Sequence, residues 1–385
     1  MHQMDITIRP NKLTGTLEIP FSKSYATREA FCRMLAKQPE ADCGLPDSAD
    51  NALKVGQFDG TADCGGSATI LRMGIAIAGA LGIETSFDGL EVLRRKNIAP
   101  YLEMLEKHGL KFSGHQLPFT MSGKLQPGEY NFPPAVSSIY VSGLLMALPL
   151  LDGDSKISLV NPAHSVAYIN MTLDLLEKHG IHVDVLGSAS LTPRFEIPGN
   201  QKYLPADVKC ERDWSGAALW MVANRLGSDI KLIGIEDTVL KDNKTVEYTL
   251  SRIGRSINVN EIPDMAPPIA AAACGYKGTT ILTGCARLRY KDSDRIETII
   301  GMINSLGGEA YLEEGDIVIR GKGELKGGTV DPRHDHRIAM AAAIASCICA
   351  EPVTIIGADC VGNSYPTFFD DFGALGGQFE LARQA

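Results

Sequence analysis

Six segments of this sequence follow one pattern, in which a polar or charged opening leads directly into a helix of small and apolar residues. They begin near Ser22, Gly66, Ser137, Asp213, Asp264 and Asp335. A helix that is apolar on all sides is stable when it is buried, so each segment is predicted to form the inner layer of an α/β unit. A chain of 385 residues is long enough for two domains, and three copies in each is the natural division.

A second, amphipathic kind of helix ends in glycine before a strand. The motif Leu-Glu-Lys-His-Gly occurs at 105–109 and again at 176–180, and 303–308 is a weaker copy. Glycine is the usual residue just beyond a helix end, where the backbone is left-handed. We interpret His108 and His179 as polar-face residues near these helix ends rather than as ligands.

The polar openings predict a site for anions, because a helix N-terminus has unpaired N–H groups and about half a positive charge. Basic residues reinforce three openings: Lys23 and Arg28 at the first, Lys291 and Arg295 at another, His336 and Arg337 at the last. Ser24 and Arg28 are four residues apart and are predicted to share a helix face, with Lys23 at the helix entrance. Lys291 and Arg295 have the same spacing. Each cluster alone also suits a solvated, salt-bridged helix end. Three of them in one chain favour binding of phosphate and carboxylate groups.

Charge and cysteine content exclude several classes of protein. The formal net charge is −9, which argues against nucleic-acid and membrane-surface partners. The nine cysteines show neither metal-ligand nor disulfide-rich spacing, so we predict reduced core residues and a cytoplasmic location. The sequence begins without a signal peptide and contains no predicted transmembrane span. We expect a monomer.

Short motifs resemble, in the same order, those of the enolpyruvyl transferases that make 5-enolpyruvylshikimate 3-phosphate. The sequence PFSKSYATR at 20–28 is similar to the family block Pro-x-Ser-Lys-Ser-x-x-x-Arg, and LRYKDSDRI at 288–296 is similar to Leu-Arg-Val-Lys-Glu-Ser-Asp-Arg-Ile. Further blocks match at 66–72, 136–150, 165–168, 213–215, 263–264, 335–337 and 364–366. No single block is decisive, but their shared order extends along essentially the whole chain.

The resemblance implies the enolpyruvyl transferase fold. This is an α/β (α+β) fold of two similar domains, each with three βαβαββ units around buried helices, arranged as an inside-out α/β barrel. One domain would span residues 21–229, and the other would combine 1–20 with 230–385. The active site would be a cleft between them, which closes on the substrates and excludes water.

The implied reaction transfers the carboxyvinyl group of phosphoenolpyruvate to the 5-hydroxyl of shikimate 3-phosphate and releases phosphate. It is a step of the shikimate pathway of aromatic amino acid biosynthesis, and it requires no metal and no cofactor. The chemistry needs a base for the hydroxyl, an acid for the vinyl carbon, and cations for two phosphates and two carboxylates.

The resemblance assigns these roles to particular residues. Asp264 would be the base and Asp292 the acid, with Lys23 as the other candidate for protonating the vinyl carbon. Shikimate 3-phosphate would be bound by Lys23, Ser24, Arg28, Ser137, Ser138, Ser165, Asp264 and Lys291. Phosphoenolpyruvate would be bound by Lys23, Ala68, Lys96, Arg295 and Arg337.

Five positions depart from the family pattern. Ala68 replaces a glycine of the phosphoenolpyruvate loop, Lys96 replaces an arginine, and Ile139 replaces a glutamine that lies against the shikimate ring. Asn363 replaces a frequent lysine, and Asp292 is one methylene shorter than the usual glutamate. These departures predict a divergent member of the family, with altered substrate affinity or a different acceptor. The extra methyl of Ala68 also predicts weak binding of inhibitors longer than phosphoenolpyruvate, such as glyphosate.

Three other functions compete with this interpretation. Ile139 motivates a carboxyvinyl transferase with a different acceptor. A catalytically silent anion-binding homologue would have lost both acids, whereas Asp264 and Asp292 are present. The sister enzyme that acts on UDP-N-acetylglucosamine relies on a loop cysteine next to proline, a setting that neither Cys43 nor Cys64 has.

Overall fold

The computed structural model describes residues 4–38, 58, 60–132, 137–159, 166–187, 193–235 and 242–383. Within these residues the strands are β1 (Met4–Arg9), β2 (Thr14–Glu18), β3 (Thr61–Asp63), β4 (Thr85–Asp88), β5 (Leu110–Phe112), β6 (Phe119–Gly123), β7 (Glu129–Phe132), β8 (Ser155–Leu159), β9 (Asp184–Leu186), β10 (Arg194–Ile197), β11 (Asp229–Ile233), β12 (Ser256–Asn258), β13 (Gly278–Thr283), β14 (Ala310–Glu313), β15 (Asp316–Gly321), β16 (Gly328–Val330), β17 (Val353–Ile355) and β18 (Gln378–Arg383).

The α-helices within the same residues are α1 (Lys23–Leu35), α2 (Ala68–Leu81), α3 (Glu91–Arg94), α4 (Ala99–Glu106), α5 (Ser138–Ala147), α6 (Val166–Lys178), α7 (Trp214–Arg225), α8 (Asp242–Ser251), α9 (Ala266–Cys274), α10 (Arg295–Ser305), α11 (His336–Ala345) and α12 (Phe368–Ala374). Short 3-10 helices follow α5 and α11, and two others cover Cys285–Tyr290 and Ala358–Asn363. Among the described helices, none is both long enough and apolar enough to cross a membrane.

Four sheets of four strands share one topology. This repetition in the structure corresponds to the repeated pattern in the sequence. The strand orders of the four sheets are β3-β4-β6-β5, β7-β8-β10-β9, β12-β13-β15-β14 and β16-β17-β1-β18. In each sheet the first two strands are parallel and the other two pairs are antiparallel. The last sheet is completed by β1 from the start of the chain. A parallel two-stranded sheet, β2 with β11, contains the remaining strands.

The chain divides into two compact units. The discontinuous unit comprises Met1–Pro20 and Arg212–Ala385, and the central unit comprises Phe21–Glu211. The second boundary therefore precedes α7, whereas the sequence placed it after this helix, at residue 229. The reason is packing, because α7 contacts α9 and α11 of the discontinuous unit. Each unit consequently contains three of the six predicted buried helices.

Five of the six polar openings contain a helix cap. Side-chain oxygens of Ser22, Ser67, Ser137, Asp213 and Asp335 accept backbone N–H groups at the starts of α1, α2, α5, α7 and α11. The small residues behind these caps let helices approach closely. At Gly143, an added Cβ would lie 3.0 Å from the carbonyl oxygen of Arg72, so α5 packs directly on the backbone of α2.

The glycines that end the amphipathic helices have the predicted conformation. Gly109, Gly180 and Gly307 have φ values of +100°, +75° and +79°. The interpretation of the two neighbouring histidines is only partly right. His108 stacks on Tyr130 with ring centroids 3.8 Å apart. His179 is 0% exposed, so its placement on a polar face was wrong.

Cysteines contribute to packing rather than to cross-links. Six of the described thiols are buried, those of Cys210 and Cys349 are partly exposed, and none is in a disulfide. Burial raises the pKa of the Cys274 and Cys360 thiols to about 12, so these thiols remain protonated at neutral pH. The prediction of reduced core cysteines is confirmed for the described part of the chain.

Candidate active site

The predicted site residues fall into two sets, one in each unit. Those of the central unit are Lys23, Ser24, Arg28, Ala68, Lys96, Ser137 and Ser138. Those of the discontinuous unit are Asp264, Lys291, Asp292, Arg295 and Arg337. Ser165 lies outside the described residues. Within each unit, most of these residues lie near the starts of helices, whereas Lys96 follows the end of α3.

In the central unit, Arg28 is a buried cation with neutral partners. Its side chain is 1% exposed. Nε donates to Thr172 Oγ1 at 2.8 Å, and Nη1 donates to the Ser24 carbonyl oxygen at 2.8 Å. Nη2 is 3.4 Å from Ser142 Oγ. Burial lowers the pKa of Arg28 to about 10, so the guanidinium is charged at neutral pH. No described acidic side chain forms an ion pair with it, and a buried charge of this kind favours a bound anion.

Arg72 is a second cation of this unit, and it was not among the predicted binding residues. Its Nη1 donates to Ser137 Oγ at 3.3 Å, and its guanidinium lies 4.5 Å from the ring centroid of Tyr140. Within the described residues, the buried Nε has no hydrogen-bond partner. The available signal was its place at the end of the glycine-rich block, one turn after the cap of α2.

The serines at the start of α5 differ in what they can offer a ligand. Ser137 Oγ caps the helix and accepts from Arg72 and from the Ile139 N–H. A hydroxyl that accepts in this way retains its own proton as a donor. Ser138 is buried. Ile139, which replaces the family glutamine, is partly exposed beside them.

The remaining predicted residues of the central unit stand at helix ends. Lys23 is the first residue of α1, and desolvation lowers the pKa of its ammonium group, although the residue is exposed at the surface. Ala68 is the first residue of α2, after the cap Ser67. Lys96 lies just after α3 and is partly buried. These positions fit residues that meet a ligand at a helix start.

In the discontinuous unit, Asp264 is surrounded by cations. It lies two residues before α9 and does not cap that helix. Its Oδ1 accepts from Arg295 Nη1 at 2.7 Å and from Lys291 Nζ at 3.3 Å. Burial by itself raises the pKa of Asp264, but the charges of Lys291, Arg295 and Arg337 together outweigh burial and leave it well below its usual range. Asp264 therefore interacts with side-chain cations rather than with the N–H groups of the helix start.

Lys291 reaches Asp264 by a route that differs from the predicted one. The helix α10 begins at Arg295, and Asp294 is its N-cap. Lys291 lies before the cap, so it does not share a helix face with Arg295 as predicted. A loop rather than a helical turn brings the two cations to the same carboxylate oxygen.

Arg295 is a predicted substrate-binding residue that also forms several hydrogen bonds within the protein. It is 2% exposed, and Asp335 beside it is fully buried. Arg295 Nε and Nη2 donate to the two oxygens of Asp335 at 2.7 and 3.2 Å. Nη1 also donates to the Pro263 carbonyl oxygen at 3.2 Å. With the bond to Asp264, four of its five N–H groups have protein acceptors, which leaves at most one for a substrate.

Arg337 and His336 begin α11 directly after Asp335. Arg337 is 9% exposed, and its Nε has no hydrogen-bond partner among the described residues. His336 Nδ1 lies 3.4 Å from Asp292 Oδ2. Burial, together with the charge of Arg337, lowers the pKa of His336 to about 4, so the imidazole is neutral at neutral pH. Because His336 is neutral, Arg337 is the positively charged residue at the start of α11. Among the described residues, its Nε–H has no acceptor.

Asp213 is a further acid close to this group. It caps α7, and its Oδ1 accepts from the Ser215 N–H at 3.0 Å. Burial raises the pKa of Asp213, and the charge of Arg337 acts in the opposite direction. The residues at the starts of α7, α9, α10 and α11 thus influence one another electrostatically.

Asp292, Asp335 and His336 place potential ligand atoms within 4.8 Å of one another. Both oxygens of Asp335 already accept hydrogen bonds from Arg295. The neighbouring positive charges of Arg295 and Arg337 oppose a metal ion and favour anions. The site therefore favours a phosphate or carboxylate held by the arginines over a cation held by Asp292, Asp335 and His336.

Comparisons with known proteins agree on one family. The model of the EPSP synthase (3-phosphoshikimate 1-carboxyvinyltransferase) family matches residues 50–372. A relative from Clostridium kluyveri, named 3-phosphoshikimate 1-carboxyvinyltransferase, is 34% identical over 421 aligned residues, with 97% of this chain and 98% of the relative covered. A relative of the same name from Clostridium acetobutylicum is 32% identical, with 97% of each chain covered.

Solved structures support the fold independently. An EPSP synthase from Acinetobacter baumannii superposes with a TM-score of 0.83 at 22% identity, with 99% of this chain and 100% of that chain covered. A second structure of that protein gives a TM-score of 0.81 at 21% identity, with 98% and 100% covered. The predicted enolpyruvyl transferase fold is confirmed.

Proposed function

Because the chain belongs to the EPSP synthase family, we propose that the two sets of residues described above bind and activate its substrates. The protein is a transferase that moves the carboxyvinyl group of phosphoenolpyruvate to the 5-hydroxyl of shikimate 3-phosphate and releases phosphate. This is a step of the shikimate pathway of aromatic amino acid biosynthesis. The proposal concerns which residues perform it and how.

We assign shikimate 3-phosphate to Lys23, Ser24, Arg28, Ser137, Ser138 and Ser165 of the central unit, with Asp264 and Lys291 of the discontinuous unit. The observation that carries this assignment is the buried charge of Arg28, which has neutral partners only. A phosphate dianion would supply the missing negative charge and accept from the unused N–H groups. The Ser137 proton and the start of α5 add donors of the same kind.

We assign phosphoenolpyruvate to Lys23, Ala68, Lys96, Arg295 and Arg337. Arg337 has an unused buried N–H, which supports direct binding of a carboxylate or phosphate oxygen. Arg295 has at most one N–H to offer, so its main contribution is charge and the placement of Asp264. Lys96 is a point charge where the family has arginine, and it would bind without a bidentate geometry.

Asp264 is the proposed base, and its surroundings explain how substrate binding could increase its basicity. Lys291, Arg295 and Arg337 make its carboxylate weakly basic in the absence of ligands. Anionic substrates bound to these cations would offset their charge and raise the pKa of Asp264 toward the range that general-base catalysis needs. Substrate binding and activation of the base would then be coupled.

Asp292 is the proposed acid for the vinyl carbon, and Lys23 is the other candidate. The Asp292 side chain is 40% exposed, so a substrate can reach it, and the neutral His336 lies beside it. The shorter side chain relative to glutamate requires an adjustment of about an ångström for proton transfer. We further propose a cytoplasmic monomer; the unpaired cysteines support the reducing compartment.

The function is tested by phosphate release from phosphoenolpyruvate in the presence of candidate acceptors. We expect release that depends on shikimate 3-phosphate. Release only with another hydroxyl acceptor would support the alternative motivated by Ile139. If phosphoenolpyruvate binds saturably but no acceptor tested leads to phosphate release, the result would support a silent homologue.

Replacement of Arg28 by lysine is expected to raise the KM for shikimate 3-phosphate by about 10- to 100-fold, since charge-assisted hydrogen bonds contribute about 1.5–3 kcal/mol each. Lysine keeps the charge but cannot bond Thr172, Ser24 and a phosphate together. Steady-state kinetics with phosphoenolpyruvate saturating gives the value. The matched control is Arg194→Lys, an exposed residue at the start of β10, and an equal effect of both would contradict the assignment.

Replacement of Ala68 by glycine is expected to strengthen inhibition by glyphosate about tenfold or more, because relief of overpacking amounts to about 1–3 kcal/mol. Inhibition titrations at fixed phosphoenolpyruvate compare wild type and Ala68→Gly. The KM for phosphoenolpyruvate should change by less than about threefold, since this shorter ligand meets the methyl less. Equal glyphosate potency on both proteins would rule out the proposed contact.

A further inference from the structure

A buried polar cluster lies on the side of α1 next to Arg28. Glu29 and Arg33, one turn apart on α1, are 1% and 4% exposed, and His179 just after α6 is 0% exposed. Arg33 Nε donates to Glu29 Oε1 at 2.7 Å. His179 Nε2 lies 3.0 Å from Glu29 Oε2. The cluster therefore joins the middle of α1 to the end of α6.

The hydrogen-bond partners determine where the protons of this cluster lie. His179 Nδ1 is 2.8 Å from the Leu204 carbonyl oxygen. A carbonyl oxygen can only accept, so Nδ1 carries a proton. On the other side, one proton must lie between Nε2 and the Glu29 carboxyl group. The contact is consequently a buried hydrogen bond between His179 and Glu29, and removing either partner would leave the other without it.

Among the described residues, Lys178 Nζ of α6 donates to the Tyr25 hydroxyl of α1 at 3.2 Å, one turn before Arg28. Two further polar connections attach α1 to α6. The first is Arg28 to Thr172, and Thr172 in turn donates to Ser142 of α5. The second is Glu29 to His179. Adjacent residues of a helix point about 100° apart around its axis, so the two connections fix α1 from different directions. A rotation of α1 that broke the second would also turn Arg28.

We propose that His179 is a positioning residue for the binding of shikimate 3-phosphate. Through Glu29 it sets the rotation of α1, and with it the direction of the Arg28 guanidinium. This inference rests on the proposed role of Arg28. A hydrophobic core would stabilise this position at lower desolvation cost, and the polar cluster adds what such a core lacks, a single allowed orientation of α1.

Two substitutions of His179 separate positioning from general stability. The amide nitrogen of asparagine can replace Nδ1 and keep the bond to Leu204, whereas that of glutamine can replace Nε2 and keep the bond to Glu29. Each variant therefore loses one buried hydrogen bond. For His179→Asn we expect the KM for shikimate 3-phosphate to rise by about five- to tenfold. For His179→Gln we expect a change below about twofold. The kcat and the KM for phosphoenolpyruvate should change by less than about twofold in both.

A similar rise of the KM for shikimate 3-phosphate in both variants, or in neither, would overturn the proposal, because the contact to Glu29 would then not be decisive. If His179→Asn does not fold, Glu29→Met, which has a similar length but cannot hydrogen-bond His179, provides the same comparison and is expected to raise that KM likewise; an unchanged value overturns the proposal. Failure of the underlying assignment is distinguishable, since Arg28→Lys would then leave the KM for shikimate 3-phosphate unchanged.

Discussion

Replacement of Asp264 by asparagine is expected to lower kcat by about 10²- to 10⁴-fold, the usual contribution of a positioned general base. Asparagine retains the size of the side chain and an oxygen that can accept from Arg295 and Lys291. It cannot accept a proton from the 5-hydroxyl of shikimate 3-phosphate. Phosphate release at saturating concentrations of both substrates measures the effect.

The KM values distinguish loss of the base from loss of the site. Because Arg295 and Lys291 would no longer be neutralised, anionic substrates should bind as well as before or better. Asp294→Asn, which alters another carboxylate in the same region but retains a good N-cap, is the matched control. A kcat for Asp264→Asn within about tenfold of wild type would show that another group takes the proton.

Replacement of Asp335 by asparagine is expected to lower the free energy of unfolding by about 3–5 kcal/mol, because it leaves the charge of buried Arg295 half compensated. Asparagine is itself a good N-cap, so the capping bond to the Arg337 N–H should survive. The same oxygen, Oδ1, also accepts from Arg295 Nη2. The loss therefore reports the negative charge of Asp335 and the bonds that its Oδ2 accepts from Arg295 Nε and Ser293 Oγ. Urea denaturation followed by circular dichroism measures it.

The same carboxylate also predicts an acid limb of stability. Burial raises the pKa of Asp335, but Arg295 and other donors outweigh it and lower the pKa in the folded protein. A lowered folded-state pKa stabilises the protein above the unfolded-state value of about 3.9, and this stability is lost as the pH falls below it. Between about pH 4 and pH 2, the free energy of unfolding of Asp335→Asn should therefore decrease less than that of the wild type.

An exposed ion pair provides the control for this experiment. Arg333 and Glu297 are paired at 2.7 Å with both side chains largely exposed. Glu297→Gln should change the free energy of unfolding by less than about 1 kcal/mol. An equally small effect of Asp335→Asn would mean that the buried pair contributes no more than a surface pair.

Local chemistry explains why much of the fold was predictable. Helix caps and terminal glycines act within one or two turns, so Ser22, Asp213 and Asp335 revealed helix starts, and Gly180 revealed a helix end. The boundary between units was harder to predict. It lies between Glu211 and Arg212, where Ser22 N–H donates to the Glu211 carbonyl oxygen, and no sequence pattern at 211 announces a partner so distant in the chain.

The residue types of the candidate site could be predicted from the sequence, but the contacts between these residues could not. The cations near Asp264 were identified, yet the spacing of Lys291 and Arg295 suggested a shared helix face that does not exist. The engagement of Arg295 by Asp335, forty residues apart in sequence, has no local signature. His179 was misplaced for the same reason, since its acidic partner Glu29 is 150 positions away.

The sheet that contains β1 has a consequence for how the protein is made. Ile6 of β1 is paired with Ile355 on one side and Leu381 on the other, so β1 cannot complete its sheet until β17 and β18 have been synthesised. The central unit is contiguous and can fold while synthesis continues, since domains generally fold as units from the N-terminal side. During that interval β1 has two unsatisfied edges, and such edges are templates for pairing with other chains. Nascent-chain protection by chaperones is therefore needed most for the first strand of the sequence.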